Sequence, residues 1–250
     1  MVRTLLVRGM LTGIVAGLLT FGFLKLYGEP QVDRAIAFET QMGEAKAAAE
    51  RAKGMTVDEM PELVSREVQA GIGLFTAVMV YSTAFGGLFG LAFGFAYGRI
   101  PGPLTARGVA ALLAATGFVA IYLVPNLKYP ANPPSVGDPE TIGIRTALYF
   151  IMMAISMAAM VVSVSLRRQL ASRFGDWDGT LIAAGCYIVI VVIAALLLPP
   201  INEVPAEFPA VVLWKFRIAS LGAQAIMWTT LGVVFGASAE RAFVGARAPA

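Results

Sequence analysis

The sequence predicts an all-α integral membrane protein of about six transmembrane helices, on three observations. Mean hydropathy is +0.74, and hydrophobic residues make up 58 % of the chain. The apolar stretches reach the ~20 residues needed to cross a bilayer, whereas buried helices of that character in soluble domains stop at about 10 to 14. None of these stretches carries an acidic residue in its middle. Within hydrocarbon a helix satisfies its own backbone, so each stretch is read as helical. With 250 residues, little chain remains for a separate soluble domain, and a single membrane domain over 1–250 is expected.

The spans fall at about 5–26, 68–97, 105–124, 142–166, 180–198 and 211–235. The first lies behind Arg3 and Arg8 and resembles a signal peptide. However, "KLYGEPQ" offers no small-x-small cleavage site and the run is long, so an uncleaved span is the better reading. Span one carries Gly9, Gly13 and Gly17, and span two carries Gly86, Gly90, Gly94 and Gly98. Four-residue spacing aligns each series on one helix face, where another backbone approaches closely, as static packing or as a pore-lining surface. Trp177, Trp214, Trp228, Tyr97, Tyr122 and Tyr129 fall mostly near span ends, as interfacial aromatics do.

Three loops separate the spans on one side, at about 27–67, 125–141 and 199–210. The first contains "VDRAIAFETQMGEAKAAAERAK", a helix by composition, with Val32, Ala35, Ile36, Phe38, Met42, Ala45 and Ala49 near helical spacing. Pro61 suits the first turn of the helix that follows. The second, "PNLKYPANPPSVGDPETIG", is stiffened by Pro125, Pro130, Pro133, Pro134 and Pro139. The third is "PPINEVPAEFP". Each loop returns to the membrane past an arginine: Arg66, Arg145 and Arg217, spaced 79 and 72 residues apart. This fits three helix pairs, and interfacial anchoring explains it as well.

Orientation follows from basic residues in short connections. Arg99, Arg107, Arg167, Arg168 and Arg173 lie in short turns on the side of the termini, with Arg3, Arg8, Arg241 and Arg247. Both termini are therefore expected in the cytoplasm.

Composition excludes several chemistries. With no histidine and one cysteine, Cys186 in an apolar run, neither a Ser–His–Asp nor a Cys–His set can form. No acidic pair sits within a span, and no Walker-type phosphate loop is present. An enzyme is not expected. Basic residues are scattered without interleaved aromatics, so nucleic acid is not an expected partner, whereas the lipid bilayer is.

Candidate ligands sit in the loops. Glu29, Asp33, Asp138, Glu140, Glu203 and Glu207 offer carboxylates held by proline turns, reasonable oxygen ligands for a divalent cation. The same acids have structural readings. Asp138-Pro139-Glu140 looks like a helix cap, and Glu203 and Glu207 have Lys215, Arg217 or Arg145 as partners. Arg66, Arg145 and Arg217 would set loop geometry. Gln69 and Gln224, just inside the membrane, seek partners on a neighbouring helix.

The segments "MVRTLLVRGMLTGIVAGLL", "GEPQVDRAIAFE", "LVPNLKYPANPPSVGDPETIGIRTALYF" and "NEVPAEFPAVVLWKFRIASLGAQ", with the six-span pattern, resemble the CbtA family over nearly the whole chain. The resemblance implies a bacterial inner-membrane component of a cobalt uptake system serving cobalamin synthesis, paired with a small single-span CbtB-like protein. Many relatives carry histidines in the first loop; this chain has "ETQMGEAKAAAERAKGMTVDEM" there, so no histidine site carries over. Cobalt(II), or another divalent cation, is then the expected cargo rather than a resident cofactor. Two rivals stay open: a structural or assembly subunit of a larger membrane complex, and a transporter of a small organic solute held by Trp214, Tyr149, Gln69 and Gln224. Assembly as a homo-oligomer also stays open.

Overall fold

Lipid supplies no hydrogen-bond partners, so the chain closes its backbone bonds in helices, and the computed structural model describes these over residues 2–54, 64–99 and 104–245. Among the described residues there is no strand, and six helices are long and apolar enough to cross a membrane. They are α1 (Val2–Ala52), α2 (Arg66–Ala96), α3 (Ala106–Lys128), α4 (Pro139–Phe174), α5 (Asp176–Leu197) and α6 (Ala210–Phe243). Pro61 and Arg247 lie outside the described residues.

Four helices, α1, α3, α4 and α6, run past the ends expected for their spans, and two of these, α1 and α3, do so through a proline. Pro30 and Pro125 would ordinarily break a helix, because proline has no N–H and its ring clashes with the preceding turn. Here each is preceded by a π-helical turn, Leu24–Gly28 in α1 and Phe118–Leu123 in α3. Glu29 N–H donates to Leu24 O, and Val124 N–H to Val119 O, five residues back. The wider turn makes room for the ring, so α1 continues unbroken from its span into the segment read as the first loop.

The chain divides into two compact units. The first comprises Met1–Ala114, Asn132–Val136 and Val204–Ala250. Its central contact joins α1 and α2 through their glycine faces. A Cβ built on Gly86 would overlap the Gly9 carbonyl oxygen and come within 2.8 Å of Gly13 Cα. A Cβ on Gly9 would overlap the Gly86 carbonyl in turn, and one on Gly90 the Leu5 carbonyl. Only bare backbone permits this approach. The contact continues at Gly17 with the Ser82 side chain and at Gly94 with Leu5. Gly98 lies past the end of α2 with nothing within 4 Å, so it is not part of the contact. Because the faces meet each other, they do not line a route for an ion.

α6 completes this unit. Phe235 is fully buried and meets Phe93 and Phe89 edge-on, with ring centroids 5.1 and 5.4 Å apart. Trp228 is buried as well, edge-on to Phe85 at 5.0 Å. It is a core residue and not the interfacial anchor its place near a span end predicted. The reason is that α6 turns that face onto α2.

The second unit comprises Ala115–Ala131 and Gly137–Glu203. α4 and α5 form a hairpin through Gly175, and the second half of α3 joins them. Met152, Leu148, Ala159, Tyr187, Val191 and Ala194 form the core. One buried polar bond crosses it, between the Ser156 and Tyr187 hydroxyls at 2.8 Å. Tyr122 and Tyr129 are buried in place of lying at an interface, and the Tyr129 hydroxyl donates to Pro199 O at 2.8 Å.

Candidate functional site

In the first unit, the site grows from two helices that leave regular α geometry at the same level. α2 opens with a π-helical turn, Gln69–Gly73, in which Gly71 is non-helical (φ −98°, ψ −106°). A displaced peptide frees a carbonyl, and Lys25 Nζ donates to Ala70 O at 2.9 Å. Lys25 itself lies in the π-helical turn of α1. One turn further along α1, Glu29 and Asp33 sit four residues apart and so share a face. Arg66 at the start of α2 reaches both. Its Nη2 pairs with Glu29 Oε2 and lies 2.9 Å from Asp33 Oδ1, while Nε donates to Asp33 Oδ1 at 3.0 Å. The Glu29 side chain is 12 % exposed and that of Asp33 61 % exposed. One carboxylate is thus sheltered and the other faces outward.

The acidic face of α1 is backed by an apolar one. Ala35 is buried against Val136 and Phe208, and Phe38 meets the Phe208 ring edge-on at 5.1 Å. The helical spacing of apolar residues in this segment gives it an apolar side that needs a surface to rest on. The surface it finds is made by the proline-rich loops. Arg217 Nη2 donates to Asn132 Oδ1 at 2.8 Å, tying α6 to the second loop.

In the second unit, Asp138 caps α4. Its Oδ1 accepts from Glu140 N at 2.9 Å, and its carbonyl accepts from Thr141 Oγ1 at 3.0 Å and Arg145 Nη2 at 2.9 Å. Asp138 N–H donates to Glu203 Oε2 at 2.8 Å. Arg145 Nε lies 3.3 Å from the same oxygen as an ion pair without hydrogen-bond alignment. The guanidinium lies against Gly137, whose φ is +115°, where a Cβ would overlap it. Carboxylate, guanidinium and capping turn therefore lock one another.

Glu203 titrates below the usual carboxylate range. The Thr141 hydroxyl holds it there first, then the Asp138 N–H, with Arg145 adding attraction and partial burial opposing. A depressed carboxylate stabilises the folded loop above its unfolded pKa and loses that contribution as pH falls through the lowered folded value. Loop order is therefore expected to hold at neutral pH, to weaken from the ordinary carboxylate pKa downward, and to be gone below the lowered one. Hydrogen-exchange protection of residues 136–145 followed against pH checks this. Glu203→Gln should be unprotected throughout, and a flat profile in the unsubstituted chain would remove Glu203 as the anchor.

The remaining sequence-read positions lie apart from these clusters. Glu140 and Glu207 are exposed and make no ion pair among the described residues. Gln69 Nε2 donates to Val64 O at 2.7 Å, within its own helix start. Gln224 on α6 lies beside the Tyr81 hydroxyl on α2. Trp214 is 65 % exposed. Among the described residues no three His, Cys, Asp or Glu side chains gather as a metal site. Sequence reading passed over Thr141, Asn132 and Gly137. Asn132 and Gly137 carried a signal in retrospect, as a polar residue and a glycine among prolines.

The sequence profile described as "Probable cobalt transporter subunit (CbtA)" matches residues 2–240, almost the whole chain. No curated protein and no solved structure matches it.

Proposed function

The chain belongs to the CbtA family of probable cobalt transporter subunits, and from that premise we propose that it is the membrane component of a divalent-cation uptake system, cobalt(II) first, serving cobalamin synthesis. The observation that carries the reading is the clamping of Glu29 and Asp33 by Arg66 beside two π-helical turns. A guanidinium is a monovalent stand-in on those oxygens. An arriving dication carries twice its charge and competes for the same carboxylates. Asp33 meets the ion first and Glu29 receives it, as Arg66 swings away. Glu203, ion-paired with Arg145, offers the same exchange on a single carboxylate in the second unit, with the Asp138 carboxylate engaged as the helix cap beside it. Glu140 and Glu207, exposed and unpaired among the described residues, add negative potential that draws cations to the loops.

Oxygen ligands alone distinguish cobalt poorly from magnesium. The chain has no histidine, so we assign selectivity to a partner, a small single-span CbtB-like protein. The Arg-rich short turns support an inner-membrane placement with both termini cytoplasmic. A transporter-subunit family also fits a protein without catalysis.

Radioactive cobalt uptake tests this in cells lacking their own importers, with the chain expressed alone and with its genomic neighbour, and with magnesium and nickel as competitors. Saturable uptake that needs the chain is expected. Glu29→Gln with Asp33→Asn should lower uptake about a hundredfold or more, the loss of two charged ligand interactions of about 1.5–3 kcal/mol each. Unchanged uptake at equal protein level would sink the ligand assignment. No uptake in either condition, with the protein inserted, would favour a structural subunit or an organic solute instead.

A further inference from the structure

Near the N-terminal end of α1 the first unit carries a second feature, independent of cation uptake. A groove of about 740 Å³ opens between α1 and α6. Arg3 and Arg8 stand in it, followed down α1 by Leu11 and Val15, with Val234 and Ser238 of α6 on the facing wall. Arg8 Nη1 donates to both Ser238 O and Ser238 Oγ at 2.8 Å, which fixes the guanidinium, while its Nε is buried without a partner. No carboxylate among the described residues pairs with Arg3 or Arg8. Two uncompensated cations in the first turns of a membrane span call for an anion from outside the chain.

The wall below the cations selects which anion. Leu11, Val15 and Val234 are 58 %, 42 % and 39 % exposed, and Thr12 beside them is buried with its hydroxyl donated to the Arg8 carbonyl at 2.9 Å, so the exposed part of this wall is apolar. From Arg8 to Val15 the helix rises about 10 Å, the depth of an upper acyl segment. Free phosphate would satisfy the arginines and leave this wall bare. We propose that the groove is a binding site for an anionic phospholipid, with its phosphate on Arg3 and Arg8 and an acyl chain along Leu11, Val15 and Val234. Basic pockets between spans, with apolar flanks, recognise lipid headgroups in this way.

Native mass spectrometry of the delipidated protein in detergent, titrated with phosphatidylglycerol or phosphatidylcholine, tests the proposal. Phosphatidylglycerol should be retained about 25-fold better, since each of the two arginines near a headgroup contributes roughly fivefold. Arg3→Gln with Arg8→Gln should erase the preference, and Val234→Trp should displace the lipid with both arginines intact. Arg3→Gln alone, at an exposed helix end, should weaken it partway and keeps the test alive if the Arg8 variant does not fold. Equal retention of the two lipids, or retention indifferent to the variants, would overturn the site. Displacement of phosphatidylglycerol by inorganic phosphate would make it an ion site rather than a lipid site. A co-purifying polypeptide displaced by Val234→Trp, with no lipid bound, would assign the groove to a protein partner.

Discussion

Gly86→Val is expected to destroy the packing of the first unit, with a cost of about 3 kcal/mol or more. Valine would place three carbons where the Gly9 carbonyl and the Gly13 backbone now lie. A flexible side chain can yield, but here both obstacles are main chain, so α1 and α2 must part. Separation would also strip the contact at Gly90 and Leu5 and loosen Phe93 from Phe235. Gly22→Ala is the matched control, because nothing lies within 4 Å of a Cβ there. That change should be neutral or stabilise by up to about 1 kcal/mol through helix propensity. Thermal melting in detergent and the monodisperse fraction report both. A Gly86→Val protein that melts with the parent would show that the glycine faces are not the contact.

Gly137→Ala should cost about 1–3 kcal/mol of local order through two effects. The residue sits at φ +115°, where an L side chain is strained, and its new methyl would strike the Arg145 guanidinium. Arg145 would then leave the Asp138 carbonyl and Glu203 together. A double-mutant cycle with Arg145→Ala separates the effects. The clash disappears when the guanidinium is gone and the backbone strain does not, so the pair should be less destabilising than the sum of the single changes. Strict additivity, read by protection of residues 136–145, would show that the guanidinium does not rest on Gly137.

The six spans were legible because lipid imposes one rule on every backbone group, and hydropathy records it. Their ends were not, since Pro30 and Pro125 break an α-helix but not one that has first widened into a π-helical turn. Nothing local marks that widening. The glycine faces announced a close approach by their spacing, yet spacing cannot name the partner; each turned out to meet the other. Around the site the difficulty was distance along the chain. Arg66 meets acids 37 and 33 residues away, and Arg217 meets Asn132 across 85 residues. Pairing of Glu203 with a nearby cation was readable, but which of three cations was decided by the capping turn at Asp138. Trp228 shows the reverse case, where a position near a span end was read as interfacial although the face, not the depth, determined its burial.

The π-helical turn at Leu24–Gly28 also sets a phase. Such a turn holds one residue more than the α-helix needs, so the two parts of α1 are indexed differently along a common axis. Removing that one residue would restore regular winding and leave the phase nearly unchanged, whereas removing a second, or adding one, would rotate everything beyond it by about 100° relative to the span. Glu29 and Asp33 would then swing out of reach of Arg66, and Ala35 and Phe38 would leave Val136 and Phe208, although no named side chain had been altered. The length of this five-residue segment, more than its composition, is thus what keeps the acidic face in register with the bundle.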